Sequence, residues 1–264
     1  MDRRILLVTA YDGTAYAGFQ AQKSGVPTIE GELNRALTEL TGTPVEVIGA
    51  SRTDAGVHAR CNLAVFDTQS RIPPDKFAHA VNVRLPEQIC VTRSMEVPAD
   101  FHPRRCSTVK TFEDRIYHAQ MPDPLRRLYT DFSRDRFDIE VMRRAAQDLA
   151  GEHDFKSFSS TYTSAKTTVR EILSVEVEEI PCSSGSVMAR EIVIRVRGRG
   201  FLYNMVRIIA GTLMEIGRGA KDPGDIPAIL AACDRRAAGP TAPACGLTLT
   251  RYEIVEPGME MEFS

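Results

Sequence analysis

No two of the six cysteines, at positions 61, 90, 106, 182, 233 and 245, stand in a CxxC pair, and none joins a histidine at zinc-like spacing. The scatter fits reduced thiols of a cytoplasmic protein, most of them buried as small apolar side chains. The apolar run within "MDRRILLVTAY" ends before Thr9, too short for the core of a signal peptide, and no run approaches the length of a membrane span. Also missing are the GxSxG elbow, the phosphate-binding P-loop, the Rossmann glycine fingerprint, HExxH, and the H-x-E with P-C-x-x-C of zinc deaminases. Neither sign of charge dominates. Lys and Arg number 33 against 35 Asp and Glu, a net charge of −2, which does not announce a nucleic-acid binder. Clusters such as Arg104-Arg105, Arg126-Arg127, Arg143-Arg144 and Arg195, Arg197, Arg199 either announce one locally or are solvated faces balanced by nearby acids, as most such pairs are.

What is present is a chain of 264 residues, 43% apolar and 26% charged, enough for the cores of two small domains. Ile5 to Ala10 reads as a buried strand, and Thr28 as the cap of a helix with Ile29, Leu33, Ala36, Leu37 and Leu40 on one face. Strands are expected over Val45–Ile48 and Leu63–Phe66, with a short helix from Pro73-Pro74 to Val83 and strands over 89–97 and 107–117. Residues 119–137 read as a loop, and Asp138 as the cap of a helix running to Ala150. Strands near 168–179 and 190–197 flank "PCSSGS", a hairpin turn. Helices over Phe201–Ile216 and 225–234 precede a last strand over 246–254. Strands mixed with helices, without strict βαβ alternation, predict an α+β protein with a largely antiparallel sheet and helices on one side. The expected division is a half from 1 to 105 and a half from 106 to 264.

One short stretch carries candidate chemistry. "GASRTDAGVHAR", Gly49 to Arg60, connects two expected strands and sets Asp54 two residues after Arg52. On extended backbone the two side chains point the same way, and a neighbouring cation keeps a carboxylate ionised. A carboxylate held charged in a cleft suits attack or charge stabilisation at a sugar carbon. The alternative is structural: Asp54 caps the Asp-Ala-Gly turn and Arg52 pairs with it at the surface. His58 reads as structural. Arg207, inside the apolar "FLYNMVRIIAG", either faces a carboxylate or snorkels at the helix flank.

"GASRTDAGVHA" resembles the signature of the tRNA pseudouridine synthase A family, and the likeness runs through "YDGTAYAGFQ", "FHPRRCS", "GEHDFKSF", "FLYNMVRIIAGTLMEIGRG" and "CGLTLTRYEI". The resemblance implies isomerisation of uridine to pseudouridine in the anticodon stem-loop of tRNA, at positions 38, 39 and 40. It implies two α+β halves forming a continuous sheet with a central catalytic cleft, and a homodimer that needs no metal and no organic cofactor. By position Asp54 is the catalytic aspartate. Arg52 is the arginine that enters the RNA as a base flips out, and Arg207 the arginine paired with the aspartate. Leu247 is an apolar residue near the target base.

The chain departs from the family at one place. The family reads Arg-Tyr-Arg-Tyr after the histidine segment, its first tyrosine stacking on the base. Counted from His102, that tyrosine is Phe112, and the next two positions are Glu113 and Asp114. The stacking ring survives and its hydroxyl does not. Besides an active isomerase, the sequence therefore admits a catalytically weak paralogue that binds and remodels tRNA. A sugar hydrolase lacks an identifiable second carboxylate.

Overall fold

The computed structural model describes residues 3–23, 25–160, 165–184 and 187–264. In chain order these form β1 (Arg3–Tyr11), α1 (Ile29–Thr41), β2 (Ile48–Gly49), β3 (His58–Thr68), α2 (Phe77–Asn82), β4 (Ile89–Val97), β5 (Thr108–His118) and β6 (Asp131–Ser133). Then follow α3 (Ile139–Gln147), β7 (Gly151–Asp154), β8 (Val169–Ser184), β9 (Val187–Gly198), α4 (Met205–Gly217), α5 (Ile226–Ala232), β10 (Leu247–Ile254) and β11 (Met261–Phe263). The protein is α+β, and the chain divides into two compact units, Met1–Thr108 with Leu249–Ser264, and Val109–Thr248.

In the first unit β1 lies between β4 and β3, antiparallel to both, with Ile5 opposite Phe66 and Glu96. A strand covered on both edges explains why Ile5, Leu6, Leu7 and Val8 form one unbroken apolar run, all buried. The Thr28 hydroxyl accepts from Gly31 N at 3.2 Å and starts α1, which buries Ile29, Leu33, Ala36 and Leu37. In the second unit β9 lies between β5 and β8, antiparallel to both, and β7 closes the edge beyond β8. Phe112 of β5 sits opposite Val196, and Asp114 opposite Ile194. Val175 and Val177 of β8 continue those rows, so all six belong to one buried face. The Asp138 carboxylate accepts from Val141 N at 3.0 Å and caps α3.

Several expected boundaries move, each for a local reason. Val45 and Val47 do not pair as a strand. Their N–H groups donate to Thr38 Oγ1 (3.0 Å) and Asn34 Oδ1 (2.8 Å) on α1, and only Ile48–Gly49 joins β3. The 119–137 loop contains β6, parallel to β5 with Asp131 opposite Ile116. The apolar residues Phe201 and Leu202 precede α4 instead of opening it, because the chain turns at Asn204, whose φ is 59°. The turn expected over 181–186 gives way to strand: Pro181 to Ser184 end β8 and pair with Arg190 to Val187 of β9, and residues 185–186 lie outside the described ones. Of the cysteines only Cys61 is buried, Cys90 is exposed and the others are intermediate, which corrects the expectation that most are buried. Among the described residues no helix is long and apolar enough to cross a membrane.

Candidate active site

The "SRTD" segment is neither helix nor strand, yet it is pinned on both sides of Arg52. The Asn62 side chain, on β3, donates to Ser51 O at 2.8 Å and accepts from Ser51 N at 3.2 Å. The same amide donates to the Tyr11 hydroxyl at 3.0 Å, and Tyr11 shares a 2.8 Å hydrogen bond with Thr53 Oγ1. This network is buried, and burial holds the Tyr11 phenol well above its ordinary pKa, so it works as a neutral hydroxyl. Phe19 N donates to Thr53 O (3.2 Å) and Gly56 N to Tyr16 O (3.2 Å), which ties the loop to residues 16–19. Gly18 allows that approach: its φ is +94°, and a Cβ there would come within 2.6 Å of Thr53 O. His58, buried, accepts from Gly13 N at 3.1 Å, the structural role expected of it.

The pinning decides where the charged side chains go. Ser51 and Thr53 are buried, Arg52 is exposed and Asp54 is half-buried, so the alternation turns Arg52 and Asp54 outward together. The turn itself is closed by main chain, Val57 N donating to Asp54 O at 3.1 Å. Arg104 Nε donates to Gly49 O at 2.6 Å at the head of the same loop. Partial burial and the Arg52 charge beside it lower the Arg104 guanidinium from its ordinary value. Two arginines therefore flank the stretch that carries the one outward carboxylate.

The second unit holds the other expected residues. Arg207, half-buried on α4, donates from Nε to Ala242 O (2.7 Å) and from Nη1 to Asn204 Oδ1 (2.7 Å). Ala242 N returns a bond to Arg207 O at 3.0 Å, and Gly239 N donates to Thr212 Oγ1, fastening the 239–242 segment along α4. A guanidinium held by two acceptors in this way is fixed in direction, unlike a snorkelling side chain. Phe112 is 6% exposed and meets Phe201 edge to face, centroids 5.2 Å apart. Leu247, the first residue of β10, is buried.

Glu113 and Asp114 have opposite environments. Glu113 receives Arg115 Nη2 at 2.7 Å and Arg195 Nε at 3.1 Å, and Arg115 also reaches Glu191 at 2.9 Å. Burial works against the Glu113 charge, but Arg115 and then Arg195 hold its carboxyl below the ordinary value. Asp114 is fully buried, and burial followed by the Asp131 charge pushes it up to about 7 against the pull of Arg207. A carboxyl raised above its unfolded value of 3.8 contributes its full stability below about pH 4 and loses it as pH rises through about 7. Asp114→Asn removes that loss. Between about pH 5 and 8 the melting temperature of the unaltered protein should therefore drop at least about 3 °C further than that of the variant. Parallel unfolding curves across that range would contradict the assignment.

Among the described residues no group of three or more His, Cys, Asp or Glu side chains is placed to hold a metal ion. Tyr11, Asn62, Gly18, Arg104 and Asn204 went unnoticed in the sequence as site residues. The only signal of Tyr11, Gly18, Arg104 and Asn204 was membership of the segments "YDGTAYAGFQ", "FHPRRCS" and "FLYNMVRIIAG", and Asn62 lay in none of them.

Fold and loop together define an α+β protein that presents one carboxylate beside arginines from a rigid turn. A family profile described as tRNA pseudouridine synthase matches residues 7–104 and 145–253. The tRNA pseudouridine synthase A of Brevibacillus brevis is 45% identical over 253 residues, covering 96% of this chain and 99% of that protein. That of Acetivibrio thermocellus is 44% identical, covering 94% and 98%. The tRNA pseudouridine synthase A 2 of Clostridium tetani is also 44% identical with the same coverage. The chain belongs to the tRNA pseudouridine synthase family, isomerases that convert uridine to pseudouridine in tRNA.

Proposed function

We propose that this protein isomerises uridines at positions 38, 39 and 40, in the anticodon stem-loop of tRNA, with Asp54 as its catalytic aspartate. Arg52, Phe112, Arg207 and Leu247 bind the substrate. The protein works as a homodimer in the cytoplasm, without metal or organic cofactor. The observation that carries this reading is the outward pair Arg52 and Asp54 on a loop pinned at Ser51, Thr53 and Gly56.

The reaction breaks the ribose C1′–N1 bond, turns the uracil and rejoins it through C5. No net electron or phosphate transfer occurs. What is required is an anionic group, held in place, that adds to the sugar or base or takes a sugar proton while the detached ring is retained. Asp54 supplies the anion. The uridine must first leave its stack, and Arg52 suits entry into the vacated helix and contact with phosphate. Phe112 offers a ring face for the base, and Arg207, assigned from the sequence match, the cation for the aspartate. Glu113 and Asp114 favour a second reading, a tRNA-binding paralogue of little activity, because they replace an arginine and a tyrosine of the family pattern.

Transcripts of one tRNA that keep a single uridine among positions 38, 39 and 40 test the target. Carbodiimide-dependent primer stops should appear at each retained uridine. Modification confined to another arm would overturn the placement. Binding should also weaken with salt despite the net charge of −2, because Arg52, Arg60, Arg104 and Arg105 are exposed on the first unit. Release of phosphate counterions predicts at least about a tenfold loss of affinity between roughly 50 and 200 mM salt. A flat dependence would count against RNA.

A further inference from the structure

Arg104 is bonded to the loop of Asp54 and to no carboxylate. Its Nε donates to Gly49 O at 2.6 Å, and Gly49 is held in turn by pairing with Ala64 of β3. Its own backbone lies in a tight turn, with Arg105 N donating to His102 O at 2.9 Å and Arg104 N to His102 Nδ1 at 3.2 Å. Arg4 of β1 donates to Phe101 O at 2.8 Å and pairs with Asp67 of β3, which fastens the start of that turn to the sheet. The residue and its acceptor are therefore both fixed to strands of the first unit. A guanidinium has five N–H donors. With Nε spent on a carbonyl, the fork of Nη1 and Nη2 remains, and among the described residues it has no hydrogen bond or ion pair. Arg3, Arg4 and Arg35 of the same unit each face a carboxylate instead. Glu30 of α1 acts on Arg104 through space, but that carboxylate accepts from Ala21 N at 2.6 Å. Arg52, exposed three residues beyond Gly49, also has no ion pair among the described residues. Burial and then the Arg52 charge disfavour the Arg104 cation, a cost that an arriving anion would relieve.

We propose that Arg104 is a further substrate-binding residue: its Nη1–Nη2 fork takes one backbone phosphate of the tRNA and sets that strand against the loop of Arg52 and Asp54. The inference rests on the reading of tRNA as the substrate and adds a contact to it. Every nucleotide of that substrate carries a phosphate, and the fork can give two parallel N–H bonds to two of its oxygens. Because the same guanidinium holds Gly49 O, strand and loop are joined through one rigid planar group. Arg104 makes and breaks no bond of the substrate.

The test is Arg104→Gln, whose side-chain nitrogen stands where Nε stands and can keep the bond to Gly49 O while the fork and its charge are lost. Binding is measured to tRNAs that carry one neutral methylphosphonate at a time through the anticodon stem-loop. The variant should bind unsubstituted tRNA about tenfold more weakly than the unaltered protein. Its dependence of log affinity on log salt should be shallower by about 0.7–0.9, the share of one phosphate contact. At one methylphosphonate position the difference between variant and unaltered protein should vanish, because the partner of the fork is already gone. Arg104→Lys keeps a charge without the fork; it should show a smaller loss that vanishes at the same position, and it decides the matter if the glutamine variant does not fold. Binding by Arg104→Gln within about twofold of the unaltered protein, or a loss that persists at every position, overturns this proposal alone. Absence of pseudouridine with the unaltered protein overturns the functional reading, while the binding comparison still decides the contact.

Discussion

Asp54→Asn should stop pseudouridine formation while leaving the fold and tRNA affinity nearly unchanged. The loop is held by Asn62, Tyr11, Phe19 and Gly18, and by the main-chain bond from Val57 to the Asp54 carbonyl. None of those bonds uses the Asp54 carboxylate, so an amide of the same shape keeps the loop in place. What is lost is the anion. Removing an essential carboxylate costs roughly a thousandfold or more in rate, and the loss should appear in single turnover, with the melting temperature within a few degrees. A variant keeping even a tenth of the wild-type rate would return Asp54 to the role of a turn residue.

Phe112→Ala should produce the second largest effect, with two separable parts. The ring is 6% exposed and packs on Phe201, so truncation should destabilise the protein by roughly 3–5 kcal/mol. Stacking on an extruded base is worth roughly 1–3 kcal/mol, about one to two orders of magnitude in rate or productive binding. Phe112→Leu separates them, because it fills most of the space without presenting an aromatic face. It should fold and react about tenfold more slowly or worse. Phe112→Tyr restores the family residue and should be tolerated. A Leu variant with wild-type rate would make Phe112 a core residue only.

Elements whose pattern is complete within a few residues were legible in the sequence. The apolar run of β1, the Thr28 cap with its helical stripe and the Asp138 cap each state their own structure, and all three form. Val45 and Val47 look like a strand by composition but spend their N–H groups on Asn34 and Thr38, a bond pattern that only the packing of α1 decides. Short β6 and β7 exist because a long neighbour offers an edge, and three or four residues carry no periodicity of their own. The candidate site divides in the same way. Arg52 and Asp54 were legible because they sit in one compact motif. Tyr11 and Asn62 were not, being 42 residues from Thr53 and 51 from Tyr11 respectively. The fates of Glu113 and Asp114 were hidden too: one step along β5 separates a surface ion network from a buried carboxyl, and only the register against Arg195 and Ile194 tells them apart.

The most direct measurement is carbodiimide mapping, with mass-spectrometric detection, of tRNA treated with the purified protein, because pseudouridine has the mass of uridine and shows only through its adduct. New adducts should appear in the anticodon stem-loop with the unaltered protein and vanish with Asp54→Asn. Tight, salt-dependent binding of the same tRNA without any new adduct would contradict an isomerase and leave a tRNA-binding protein in its place.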